Sequence, residues 1–288
     1  MRDHLQKSRQ KSRSGLEMIA RGALLCIALL CALPGARAQE AGDAAMRELL
    51  ARLATGDEEM RMDAAARLST WFDSATGRTV DPELVPALTR SLQRDLSPLV
   101  RALAARALGI CGDPRVLAPL HGALGKEREV AVRKAILYAL ARYPFDPAAQ
   151  TASSLLPILP LLDDKKAELR GAAAFALAEI GDPAAAPHLL AFLRKRRKDE
   201  DAFGRTHAVR ALGRAGSREA IAPLAAALSK DHSQEVRREA AFALGLFAAA
   251  GDAPAAEALR KALTDQDPYL VRAAAEALER IRLRAASR

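Results

Sequence analysis

One short phrase returns seven times along this chain, and its spacing limits the fold more than any other feature. The phrase opens on Val-Arg, continues with small residues and closes on Ala-Leu, three times with Gly after it. It runs from Val100 to Gly109, Val132 to Leu140, Leu169 to Leu177, Arg205 to Gly213, Val236 to Gly245 and Leu270 to Leu278, after a degenerate first copy from Met60 to Leu68. The closing leucines, Leu68, Leu108, Leu140, Leu177, Leu212, Leu244 and Leu278, are 40, 32, 37, 35, 32 and 34 residues apart. Unrelated helices do not keep such a step. A fixed period in this range is the mark of one supersecondary unit repeated and stacked.

Between the phrases lies a second unit with its own punctuation. Gly112-Asp113-Pro114, Gly181-Asp182-Pro183, Gly216-Ser217 and Gly251-Asp252 each precede an apolar run with helical spacing. Gly ends one helix, Asp or Ser caps the next, and Pro sits just inside its start, where a missing N–H costs nothing. Each repeat therefore reads as helix A, a turn and helix B, each helix with one buried stripe. Half of the chain is hydrophobic but only 4% is aromatic. The apolar mass is mostly Ala and Leu, which favour helices, while the β-branched and aromatic residues that favour strands are few. A lone helix pair cannot bury both faces, so pairs stack and share a continuous core.

The phrases VRALAARALGICGDPRVLAPL and LRGAAAFALAEIGDPAAAPHLL resemble HEAT repeats of the short bacterial type first named from phycobilin lyases, over roughly residues 43 to 284. The resemblance implies an all-α, right-handed α-solenoid of about seven antiparallel helix pairs, a HEAT/armadillo-like superhelix whose B helices line the concave face. It implies little about function, because such repeats carry many unrelated ones. The copies depart from the pattern in three places: Trp71 to Pro82, Tyr143 to Ser154 and Arg194 to Gly204. Insertions in solenoids gather on one face, often the binding face.

The first 38 residues read as a secretory signal peptide, leaving 39–288 as the solenoid. Met1 to Arg21 is polar and basic, Gly22 to Leu33 is an apolar run, and Pro34-Gly35 breaks it before Ala36-Arg37-Ala38, a site that a signal peptidase accepts. Twelve apolar residues fall short of the ~20 that span a bilayer. Cys26 and Cys31 sit in the run, but each follows Leu-Leu, where lipid attachment wants a small residue. The expected location is the periplasm or the exterior of a Gram-negative cell, without stable membrane insertion after cleavage. The formal charge of +9 shrinks accordingly. Residues 1–38 hold seven basic and two acidic side chains, a net of +5, so 9 − 5 leaves +4. That balance gives no support to a nucleic-acid partner. Only Cys111 would remain, which excludes an internal disulfide in the mature chain.

No motif for catalysis stands out. The repeated Arg61, Arg101, Arg133, Arg170, Arg205, Arg237 and Arg272 could pass for an anion row. In similar HEAT proteins this Arg instead pairs with acids of the inter-helix turns, here Asp95, Asp163, Asp164 and Asp231. The run Arg194 to Lys198 is offset by Asp199, Glu200 and Asp201 and reads as a solvated loop. HEAT-type di-iron hydroxylases carry His-Glu dipeptides, but His121, His188, His207 and His232 are followed by Gly122, Leu189, Ala208 and Ser233. Cys111 reads as a small buried hydrophobe. No cofactor or metal is expected. An enzyme related to bilin lyases or HEAT hydroxylases is the alternative to a non-catalytic scaffold that binds a protein partner.

The register supplies the candidate site. With the phrase's first residue counted as zero and its closing Leu as eight, position six leans outward from helix B. That slot holds Arg106, Tyr138, Phe175, Arg210, Phe242 and Glu276. Aromatic and Arg side chains are the types enriched at binding hot spots. Arg106, Tyr138, Phe175, Arg210 and Phe242 are therefore the candidate partner-binding residues, with rings tucked between repeats as core the competing reading.

Overall fold

The computed structural model of the protein describes residues 35–71, 81–144, 155–195 and 202–287. The chain divides into two compact units, Met1–Val116 and Leu117–Arg288. The apolar run of the expected signal peptide, most of the three insertions and Arg196 to Asp201 lie outside the described residues.

In the first unit, α1 (Gly35–Thr55) pairs with α2 (Glu58–Trp71), and α3 (Leu84–Arg94) pairs with α4 (Pro98–Ile110). The A helices α1 and α3 touch, as do the B helices α2 and α4. The expected cleavage site after Ala38 falls in the first turn of α1. In the second unit, α5 (Leu117–Lys126) pairs with α6 (Val130–Leu140), α8 (Ala186–Arg194) with α9 (Ala202–Ala215), α10 (Ile221–Lys230) with α11 (Gln234–Phe247), and α12 (Ala253–Ala262) with α13 (Pro268–Ala286). The B helix α7 (Ala167–Ile180) has a 3-10 segment, Leu159–Asp163, as its partner in place of an α-helix. The sequence explains that exception. Pro157 and Pro160 are too close together for an α-helical ladder, since each lacks an N–H and an interior Pro clashes with the carbonyl one turn before. The B helices α6, α7, α9, α11 and α13 pack side by side in that order. Among the described residues there is no strand.

The phrase makes this layer by placing small residues where B helices cross. A Cβ built on Gly213 of α9 would stand 2.7 Å from the Cβ of Ala243 on α11, and one on Gly245 of α11 would stand 2.8 Å from that of Ala277 on α13. The closing leucines Leu68, Leu108, Leu140, Leu177, Leu212 and Leu244 are all buried. Gly112, Gly181 and Gly216 take positive φ at helix ends, as expected. Gly251 does not. There the C-terminal carbonyls of α11 are met by Arg284, which donates to Gly245 O (2.9 Å), Leu246 O (3.0 Å) and Ala248 O (2.9 Å). Asp113 and Asp182 cap as expected, accepting from the N–H of Arg115 and Ala184 at 2.8 Å. Ser217 makes no side-chain cap.

The Arg row is a ladder joining neighbouring repeats. Arg61 donates to Asp95 (2.7 Å), Arg133 to Asp164 (3.1 Å) and Arg205 to Asp231 (2.7 Å), while Arg237 stands 3.8 Å from Asp265. Each of these turn aspartates also accepts the N–H two residues ahead, at 2.9 Å. One carboxylate thus closes its own turn and ties down the previous repeat. Arg101, Arg170 and Arg237 donate to carbonyls of the turn before their own helix. Buried and bidentate, Arg205–Asp231 is the kind of ion pair whose halves cannot be removed singly without stranding a charge. Asp163 pairs with Lys195. One residue of the row departs from it. Arg272 is one residue out of register, on the exposed face, and bonds Glu276 one turn on.

Candidate functional site

Position six is a surface row. Tyr138 is 39% exposed, Phe242 is 42% exposed, and Phe175 is half-buried on an α7 otherwise buried from Leu169 to Ala178. The rings of Tyr138 and Phe175 meet edge to face with centroids 5.3 Å apart. Two residues that the register did not single out join them. Phe203 stacks on Phe175 at 6.1 Å, and His207 lies edge-on to both, 4.8 Å from Phe175 and 4.5 Å from Phe203. Tyr138, Phe175, Phe203 and His207 thus form one ring cluster across α6, α7 and α9.

Glycines set that cluster. A Cβ on Gly171 would come within 3.1 Å of the Phe203 ring, and a Cβ on Gly204 within 3.1 Å of the Gly171 Cα and of Phe192 Cζ. Because neither residue has a Cβ, α7 and α9 approach closely here and Phe203 lies over the Gly171 backbone. Gly204 occupies position zero, where the other copies carry Val, Leu or, in the first, Met. That departure was the available signal for Phe203.

His207 is the buried member of the cluster. Its Nδ1 has no partner among the described residues, and burial, helped by the nearby Arg210 guanidinium, holds the imidazole below the usual histidine range. Burial thus favours the uncharged imidazole over the imidazolium. Phe203, at 49% exposure, is its most open neighbour.

The remaining candidates are placed differently. Arg210 donates from Nε and Nη2, one edge of its guanidinium, to the two carboxylate oxygens of Glu239, at 3.0 Å each, so its hydrogen-bonding capacity is partly spent within the chain. Phe242 makes no ring contact with the cluster among the described residues, and the Arg280 guanidinium stands 5.1 Å over its face. Arg106 is exposed on α4, in the other unit. Of the five, Tyr138 and Phe175 are the pair whose rings meet.

Other chemistry is sparse. Cys111 is buried with its thiol on Leu108 O at 3.2 Å. Among the described residues no three His, Cys, Asp or Glu side chains gather where they could hold a metal ion. No helix among those residues is long and apolar enough to cross a membrane.

The HEAT-repeats family model matches residues 46–141, 126–203 and 191–279. A search of curated proteins found no match. Among solved structures, the chain is similar to an engineered protein (23% identity, TM-score 0.56, covering 91% of this chain and 79% of that one). It is also similar to a designed armadillo repeat protein in complex with the peptide (KR)4 (22% identity, TM-score 0.53, covering 68% of this chain and 99% of that one). Human deoxyhypusine hydroxylase in complex with glycerol aligns at 21% identity over 93% of this chain and 99% of its own, but at a TM-score of 0.38, which carries no argument. At these identities the structural likenesses speak for fold alone. Repeats of the HEAT and armadillo kind are commonly protein-interaction scaffolds. With the seven-fold phrase, the paired helices and the family match over most of its length, this chain belongs to the HEAT-repeat family.

Proposed function

We propose that this protein is a non-catalytic scaffold that binds a protein partner through the B-helix surface of its second unit, with the Tyr138–Phe175–Phe203–His207 cluster at the centre. The observation that carries this reading is the cluster itself. Three exposed or half-exposed rings in mutual contact offer a large, rigid, partly apolar surface at little entropic cost, the makeup of an interface hot spot. The charged pairs Lys134–Glu168 and Arg210–Glu239 lie on the same helices and suit a polar rim. The mild charge left after the leader favours a protein over a nucleic acid, and the missing His-Glu dipeptides favour binding over hydroxylation.

Export belongs to the same proposal. The basic start, the apolar run and Ala36-Arg37-Ala38 support cleavage after Ala38 and a working place in the periplasm or outside the cell. Mass spectrometry of the native protein tests this. A mature chain starting at Gln39 is expected, and a full-length cytoplasmic chain would refute export.

The binding surface is tested by placing a photo-crosslinking amino acid at Tyr138 or Phe203 and, as a control, at exposed Arg260 on α12. A discrete protein adduct from envelope extract at the first two positions and not at the third is expected. Equal labelling at all three, or none at the rings, would overturn the reading.

A further inference from the structure

Three Gly-Asp turns, at Asp113, Asp182 and Asp252, lead into A helices, and two of these aspartates are already matched by an arginine. Asp113 is held by its neighbour Arg115 at 2.8 Å. Asp252, 8% exposed, receives Arg218 from the preceding repeat at 2.6 Å, together with the N–H of Ala249. Asp182 is the third and the most buried, at 6% exposure. Its Oδ1 caps the Ala184 N–H, and its Oδ2 has no partner among the described residues. The sequence accounts for the difference. Where the other repeats have their Gly-Asp or Gly-Ser turn, the preceding repeat runs Phe145-Asp146-Pro147-Ala148-Ala149-Gln150-Thr151-Ala152-Ser153-Ser154, which contains no Arg or Lys.

Asp182 lines a cavity of about 390 Å³ bounded by α7, α8 and α9. Its walls are mostly apolar, from Leu177, Leu189, Ala211 and Ala215, with Glu179 and Arg214 as further charged members, 3.8 Å apart. An uncompensated buried carboxylate is costly, and a guanidinium is the group that best matches it, its aliphatic stem suiting apolar walls. Asp252, which caps no N–H ahead of it, is a buried turn carboxylate whose cation, Arg218, comes from within the chain.

From this we propose that the Asp182 cavity receives an arginine side chain of the protein partner, which supplies from outside the cation that Arg218 supplies to Asp252. The proposal rests on the protein-binding reading above, and the two fail separately, since the crosslinks test the rings with a native partner and the following experiment needs none.

The probe is acetyl-arginine methylamide, titrated into the full chain while the backbone amides of Gly181 and Ala184 are followed by NMR. Saturable shifts at both amides are expected, together with a binding constant ~10-fold or more weaker in Asp182→Asn, as loss of a charge-assisted bond implies. Asn caps a helix about as well as Asp, so this variant should fold, and its melting curve checks that it does. Asp252→Asn should leave the Gly181 response unchanged. Arg218→Ala should create a second response, at the amides of Ala249 and Gly251, by exposing an equivalent carboxylate. Equal binding of the uncharged citrulline analogue, or of guanidinium ion without its stem, would overturn the proposal. So would undiminished binding by a folded Asp182→Asn variant.

Discussion

Gly213→Ala sets two physical effects against each other, and the structure says which one wins. By helix propensity alone the change should stabilise, because Ala is favoured over Gly in a helix interior by about 1 kcal/mol. The new methyl, however, would stand 2.7 Å from the Cβ of Ala243 and 3.0 Å from its Cα, where apolar carbons prefer roughly 3.5–4.0 Å. Neither atom belongs to a side chain that can rotate away, so α9 and α11 must separate by something near 1 Å. Overpacking of this kind costs about 1–3 kcal/mol, and the fixed backbone contact places it toward the upper end. The net expectation is a loss of about 1–2 kcal/mol, since propensity returns part of the cost. At ~2–4 °C per kcal/mol for a unit of 150–250 residues, the melting point should fall by roughly 2–8 °C. Thermal denaturation followed by far-UV circular dichroism measures this. Gly122→Ala on α5 is the matched control, because nothing lies within 4 Å of its new methyl and it should stabilise. A Gly213→Ala protein as stable as the parent, or more so, would refute the close crossing and with it the register of the repeat.

Ala243→Leu loads the same crossing from the other side and should lower stability by about 1–3 kcal/mol in denaturant titration, the slope m unchanged. His207 is depressed by burial, so the unfolded chain takes up its proton first as pH falls. Its contribution is therefore fully present above the unfolded value of about 6.5 and is lost below it. The drop in stability from about pH 7 to about pH 5 should accordingly be smaller in His207→Phe than in the parent. Deleting the chain from Thr264 onward removes α13, uncovers the face of α11 that packs on it and leaves the carbonyls held by Arg284 without their donor. Light scattering should show aggregation, and a monodisperse truncated protein would contradict the packing.

Much of the fold was legible because repetition multiplies weak signals. One Val-Arg or one Ala-Leu means little, but seven copies in step place the B helices, the crossings and the Arg–Asp ladder. What escaped were the local departures. Arg272 was counted into the row by its neighbour Val271, although the closing Leu278 puts it one residue further round the helix. The fourth A helix was expected from the period, and Pro157 and Pro160 reduced it to a 3-10 segment. The site was half legible. Position six gave Tyr138 and Phe175, while Phe203 and His207 became neighbours only through the close approach of Gly171 and Gly204, a contact between repeats that spacing along one helix cannot report. Arg210 was read as an available cation because its partner, Glu239, lies a repeat away.

That the position-six rings serve binding and not the core is tested most directly by capture of the crosslinked partner with the triple variant Tyr138→Ser, Phe175→Ser, Phe242→Ser. Buried rings would cost about 3–5 kcal/mol each on truncation, enough together to unfold the unit. Exposed ones cost about 0.5 kcal/mol or less, with Phe175 adding about 0.5–1.5 kcal/mol for each edge contact it gives up. The expected result is a helical protein that melts somewhat below the parent and no longer retains the partner. A variant that has lost its helix signal, or one that stays folded and captures the partner undiminished, would contradict the claim.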